Sequence, residues 1–148
     1  MAFKLATSDH FWFTVKVTQV AETGKTQENH ISMKFKRLDF DERKEREMRM
    51  GGEIYQRLVT ETDGDVDSIS GRFTAELIRE GQMNKTAEDM TDELMEIVLD
   101  WKDVNDEEGV MAFSRDNLLR LVRFVPNLPN AVNEAYRLAY SGELKRGN

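Results

Sequence analysis

Apolar and polar positions alternate with a period of two along Phe11-Trp12-Phe13-Thr14-Val15-Lys16-Val17-Thr18-Gln19-Val20. Phe11, Phe13, Val15 and Val17 share one face, and Thr14, Lys16 and Thr18 share the other. Aromatic and β-branched residues on a half-solvated pleat predict a strand. Glu22-Thr23-Gly24-Lys25 reads as a turn, and His30 to Lys36 alternates again, with Ile31, Met33 and Phe35 opposite Ser32, Lys34 and Lys36. Together these runs predict a β-hairpin. Two strands are marginal by themselves, so this hairpin is expected to lean on helices or on another chain.

The period lengthens after residue 40. Asp41 to Met50 interleaves both charge signs at helical spacing among good helix formers, with almost no apolar face. Gly51-Gly52 is expected to interrupt it, and Glu53 to Val59 fits helix or strand. Thr62-Asp63-Gly64-Asp65 reads as loop, and Phe73 to Ile78 as a short helix stopped near Gly81. A stronger helix is expected from Thr86, with Met90, Leu94, Ile97, Val98 and Trp101 on one stripe. Ser114 is a strong N-cap, with Asp116 in the first turn and Leu118, Leu119, Val122 and Val125 on the buried side. Pro126 ends that helix. A last one runs from about Ala131 to Tyr140 and stops at Ser141-Gly142.

The pattern therefore predicts an α+β fold, an N-terminal β-hairpin followed by a mostly helical C-terminal half, in a single domain over 1–148. Within it, 1–40 is the hairpin region, 41–81 a charged helical segment, 86–142 a helical module and 143–148 a frayed tail. Asn105-Asp106-Glu107-Glu108-Gly109 is expected to be a tight turn delivering the extended run Val110 to Phe113 to the Ser114 cap. Trp101, Val110 and Phe113 would then clasp two helices together.

Composition narrows the picture. With 148 residues the chain has the size of one ordinary domain, and 33% charged residues imply a well-solvated surface. No apolar run approaches the length of a membrane span, and Met1 to His10 does not read as a signal peptide. The absence of cysteine excludes disulfides, thiolate metal sites and cysteine nucleophiles. Charge is uneven: residues 61–110 hold 16 acids against four bases, a local −12 within a chain of −7. That field disfavours nucleic acid and favours basic partners.

Candidate chemistry is sparse. Gly24-Lys25-Thr26 resembles the end of a phosphate loop, but Gln19 stands where the first glycine belongs. Asp63, Asp65 and Asp67 alternate like calcium ligands, yet Ser68 and Thr74 occupy the glycine and glutamate positions. Asp103, Asn105 and Glu107 fail in the same way at Glu108 and Ser114. His10 and His30 lie at strand edges with no triad spacing around them. No catalytic residue, metal ligand or cofactor is assigned.

The stretch Leu99 to Tyr140 resembles the C-terminal region of tail assembly chaperones of long-tailed bacteriophages. The likeness runs through Trp101, Val104, Gly109, Phe113, Ser114, Leu118, Leu119, Pro126, Ala131, Ala135 and Tyr140, and Phe35-Lys36-Arg37-Leu38 resembles the family's strand ending. The resemblance implies a non-enzymatic protein of the host cytoplasm, absent from the mature virion. It would bind the tape measure protein and tail tube subunits, with no nucleic acid or membrane partner. In some of these genes ribosomal frameshifting yields a longer product. Covering apolar stripes needs adaptable side chains, which Met33, Met48, Met50, Met83, Met90, Met95 and Met111 would supply. Expected contact residues are Met48, Met50, Ile54 and Tyr55 with the outer strand residues Trp12 and Val20. Two unpaired hairpin edges imply a homo-oligomer or strand addition by a partner. A different class of reading follows from the −12 stretch: an acidic regulatory or decoy protein that occupies a basic host protein.

Overall fold

The computed structural model describes the backbone of residues 2–61 and 85–141, with side chains for these except 51–61. Two compact units result, Met1–Arg37 with Ala87–Asn148, and Leu38–Thr86. The fold is α+β: an N-terminal antiparallel sheet followed by helices.

In the first unit, β1 (His10–Val20) and β2 (Thr26–Lys36) pair antiparallel in unbroken register from His10↔Lys36 to Val20↔Thr26. The loop between them closes through Ala21 N donating to Lys25 O and Gly24 N donating to Ala21 O. Gly24 has φ +83°, which an L side chain rarely adopts, so this turn depends on glycine. Alternation then sorts the residues: Val15, Val17, Met33 and Phe35 are buried, while Trp12, Thr14, Lys16 and Thr18 are exposed.

The next helix, α2 (Ala87–Met95), is shorter than the periodicity predicts. A turn at Glu96-Ile97 ends it, and Val98–Lys102 forms a third strand, β3, against β2. Trp101 therefore belongs to the sheet and not to a helical stripe. The register shows why the spacing misleads. Ser32↔Lys102, Met33↔Trp101 and Lys34↔Asp100 are in step, but Phe35 pairs with Val98, so Leu99 is an extra residue. This bulge puts Val98 and Trp101, three apart, on the same buried face. A strand with a bulge imitates the i, i+3 spacing of a helix.

Next come β4 (Asn105–Asp106) and β5 (Gly109–Val110), a small hairpin around Glu107-Glu108. Asp106 Oδ1 accepts from Glu108 N at 2.8 Å, and Gly109 sits at φ +125°. In α3 (Arg115–Phe124), Ser114 caps the start by accepting from Asn117 N at 3.1 Å. Leu118 and Val122 are buried, Val125 closes the end, and Pro126 follows. The final helix, α4 (Leu128–Ser141), begins before the predicted Ala131, because Pro129 falls in the first turn, where no intrahelical N–H is needed.

Aromatic packing fixes α4 on the sheet. Tyr136 stacks near Phe11 at 5.9 Å and Phe35 at 5.3 Å, Tyr140 meets Phe11 edge-on at 5.7 Å, and Tyr136 Oη donates to Lys36 O at 2.8 Å. The inner face is thus an apolar layer in which the buried Tyr136 phenol is satisfied.

In the second unit, α1 (Phe40–Glu61) continues through Gly51-Gly52, which sequence reading takes as an interruption. Glycine costs about 1 kcal/mol in a helix interior but still donates its N–H, so it weakens a helix without ending it. The start is a reciprocal cap: Asp39 Oδ1 accepts from Glu42 N at 2.8 Å, and Glu42 Oε1 accepts from Asp39 N at 3.1 Å. Glu45 and Arg49 pair one turn apart at 3.2 Å. The expected loop at 62–65, the helix at 73–78, the calcium-like acids Asp63, Asp65 and Asp67, Met83 and the tail at 143–148 lie outside the described residues.

Candidate interaction surface

The surface best defined by backbone geometry is the outer edge of β1. In an antiparallel pair, alternate residues turn their N–H and C=O toward the neighbouring strand or away from it. Arg37 N donates to Asp9 O at 2.8 Å, and Ala21 N to Lys25 O at 2.9 Å, so odd positions of β1 face β2. The even positions His10, Trp12, Thr14, Lys16, Thr18 and Val20 face outward. The far edge of β2 is different. Lys36 N donates to Ile97 O at 2.7 Å, and β3 pairs along Ser32 to Phe35. The hairpin therefore does not present two fully open edges, as its sequence suggests. One is occupied by β3 along its Ser32–Lys36 half.

Even the open edge is stopped at both ends. Ser8 Oγ donates to His10 O at 2.9 Å. At the other end, the Asn127 amide, oriented to satisfy both its atoms, donates to Thr18 O at 2.8 Å and accepts from Thr18 N at 3.3 Å. An asparagine side chain here imitates a strand residue. Between these stops, Trp12, Thr14 and Lys16 keep outward backbone groups that bond to nothing among the described residues.

Side chains add chemistry to this window. Trp12 is 37% exposed, and Lys102 Nζ lies 4.0 Å from its ring centroid, a cation–π contact that holds the indole on the outer face. Lys16, Lys34, Lys36 and Lys102 share that face with Glu28 and Asp100, so it is locally basic on an acidic chain. Lys16 lies 3.5 Å from Glu28. Val20, at the strand end, is 73% exposed.

The remaining expected contacts belong to α1. Met48 is 38% exposed and lines an open depression with Asp41, Lys44, Glu45 and Arg49, while Met50 is half-buried. The Ile54 and Tyr55 side chains lie outside the described residues. Two methionines that sequence reading offers to a partner are core residues instead: Met33 is 0% and Met111 6% exposed. A strand's inner face and a tryptophan's lid leave them nothing to contact.

The Trp101 region is structural. Trp101 Nε1 donates to Met111 O at 2.8 Å, and Phe113 meets the indole edge-on at 5.1 Å. Val110 takes no part in this clasp, since it is 84% exposed on the β4–β5 hairpin. Much of the acidic charge nearby is spent internally. Asp92 pairs with Arg115 at 2.8 Å, Asp106 with Arg120 at 2.7 Å, and Glu88 with Arg123. These contacts hold the Asp92 and Asp106 carboxyls below the usual carboxylate range, through the hydrogen bond from each arginine, and raise Arg115. Arg137 does the same to Glu134, and His10 to Asp9. Among the described residues no three His, Asp or Glu side chains gather as a metal site would require.

A surface of backbone edge, ring and lysines can hold polypeptide. The whole sequence, residues 1–148, matches the family model described as phage tail assembly chaperone. The chain belongs to the phage tail assembly chaperone family. No curated protein and no solved structure matches it. Membership in this chaperone family suggests a non-enzymatic role and implies tail proteins as partners in general. No helix among the described residues is long and apolar enough to cross a membrane. Sequence reading overlooked Lys102, Thr14 and Asn127 as parts of this surface. Only Asn127 had a visible signal, as a polar residue at a helix entry, and that signal does not say which strand it reaches.

Proposed function

We propose that this chain binds the tape measure protein, and tail tube subunits with it, during tail assembly in the host cytoplasm, without catalysis or cofactor. The observation that carries the reading is the family match over the full 148 residues. A long tape measure helix exposes apolar stripes before the tail polymerises, and such stripes aggregate unless covered. Trp12 and Val20 on the sheet, with Met48, Met50, Ile54 and Tyr55 on α1, are the proposed contacts. Exposed Trp12, Val20 and Met48 are apolar side chains in a polar surround, the composition that peptide-binding surfaces use. Co-expression with a tape measure fragment tests this. The fragment should become soluble and co-purify, and Met48→Glu should reduce the yield of complex. A fragment that stays insoluble and is not retained would overturn the reading.

A further inference from the structure

Paired strands line up their side chains in rows, and the register sets the rows on the outer face of this sheet. Lys36 stands in a row with His10, Lys34 with Trp12 and Asp100, Lys102 with Ser32 and Thr14, and Lys16 with His30. Four successive rows thus carry one lysine each. Rows on one face are two residues apart, about 6.8 Å, so the four span roughly 20 Å along the strands. These lysines are also largely uncommitted. Arg115, Arg120, Arg123 and Arg137 of the helices all stand in ion pairs, whereas Lys34, Lys36 and Lys102 make none among the described residues. Lys16 shares the Glu28 carboxylate with His30, each at 3.5 Å. With Asp100 and Glu28 as its acids, the face sets four lysines against two carboxylates on a chain whose net charge is −7.

We propose that this face takes an acidic helix of a partner polypeptide, laid along the strands with its carboxylates one turn apart against the lysine rows and an apolar side chain against Trp12. Charge complementarity selects an acidic occupant, and spacing suits a helix. Carboxylates at i, i+4, i+7 and i+11 share one helix face and span about 16.5 Å. Lysine ammonium groups ride on flexible four-carbon stems, which absorb the difference from the row spacing. Trp12 supplies the apolar contact in the second row, its ring already held by Lys102 Nζ at 4.0 Å. Single-stranded nucleic acid is the rival for a face of lysines and an indole. A phosphate backbone that runs beyond the patch meets the acidic remainder of the chain, which repels it. The family, moreover, implies tail proteins as partners. The inference rests on the tail-protein reading for the source of the helix and adds the chemistry by which it is held. Its test uses no tail sequence, so either can fail without the other.

Fluorescence anisotropy of the full chain with a labelled helical peptide provides the test. The peptide carries Glu at i, i+4, i+7 and i+11 with Leu between them, and a second peptide has Lys in place of each Glu. The Glu peptide should bind, and bind more weakly as salt is raised. The Lys peptide should not bind. Lys34→Gln combined with Lys36→Gln should weaken the Glu peptide by about fivefold or more with the native circular dichroism retained, since two surface ion pairs are lost. Lys25→Gln, in the β1–β2 turn and outside the lysine rows, should leave binding unchanged. Four results would each overturn the proposal: no binding of the Glu peptide, equal binding of the two peptides, a loss from Lys25→Gln as large as that from the double variant, or a labelled oligothymidylate that binds more tightly than the Glu peptide.

Discussion

The two faces of the sheet are built from the same three strands and behave as opposites. On the inner face Val15, Met33 and Phe35 are 0% exposed, and Phe35 packs against α4, whose Tyr136 and Tyr140 extend the aromatic layer. On the outer face Trp12, Lys16, Lys34 and Lys102 remain in contact with water, and the order there comes from single contacts such as the lysine over the indole. Burial makes the inner face stable. The outer face and its edge contribute little to stability and are free to be used for binding.

The comparison predicts a steep gradient of mutational cost. Phe35→Ala should destabilise most, by about 3–5 kcal/mol in urea unfolding, because it empties the centre of the aromatic layer. A pair of proline substitutions in one strand comes next. Val15→Pro removes an N–H that faces β2 and should cost about 3 kcal/mol or more, whereas Thr14→Pro, one residue away with an outward N–H, should cost far less. Equal losses from the two prolines would mean that the assigned parity of β1 is wrong. Ser114→Ala should cost about 1 kcal/mol through loss of the cap on α3, with no change in the sheet. On the outer face, Lys102→Met should cost only about 0.5 kcal/mol and shift the fluorescence of Trp12.

Acid response should be the gentlest effect. Asp92 and Asp106 have depressed pKa values in the folded state, held there by Arg115 and Arg120. A depressed folded pKa contributes stability that is present above the unfolded value of about 3.9 and is lost as pH falls through the folded one. Stability should therefore decline as pH falls below about 4, and Arg120→Gln should flatten that decline. Both arginines are about half exposed to solvent, so the change should be small. An acid limb unaltered by Arg120→Gln would remove the Asp106 contact from the account.

Much of this was legible along the chain because it depends on neighbours a few residues apart. The hairpin follows from a period of two and a turn that needs Gly24, and the α3 start follows from Ser114 with Asp116 behind it. Belonging to a chaperone family was also readable, in the texture from Trp101 to Tyr140. The third strand was not. Leu94, Ile97, Val98 and Trp101 fit a helix until β2 presents an edge to Val98–Lys102 and the extra residue Leu99 resets the alternation.

Local pattern, then, fixed which residues of β1 face inward and where the helices can begin, since side-chain alternation and caps are properties of adjacent residues. Only tertiary structure decided that half of one sheet edge is covered by β3 and that the other is trimmed at His10 and Thr18. Those outcomes depend on groups far apart in sequence, Asn127 and Thr18 above all, meeting across backbone whose hydrogen bonds no side-chain pattern records.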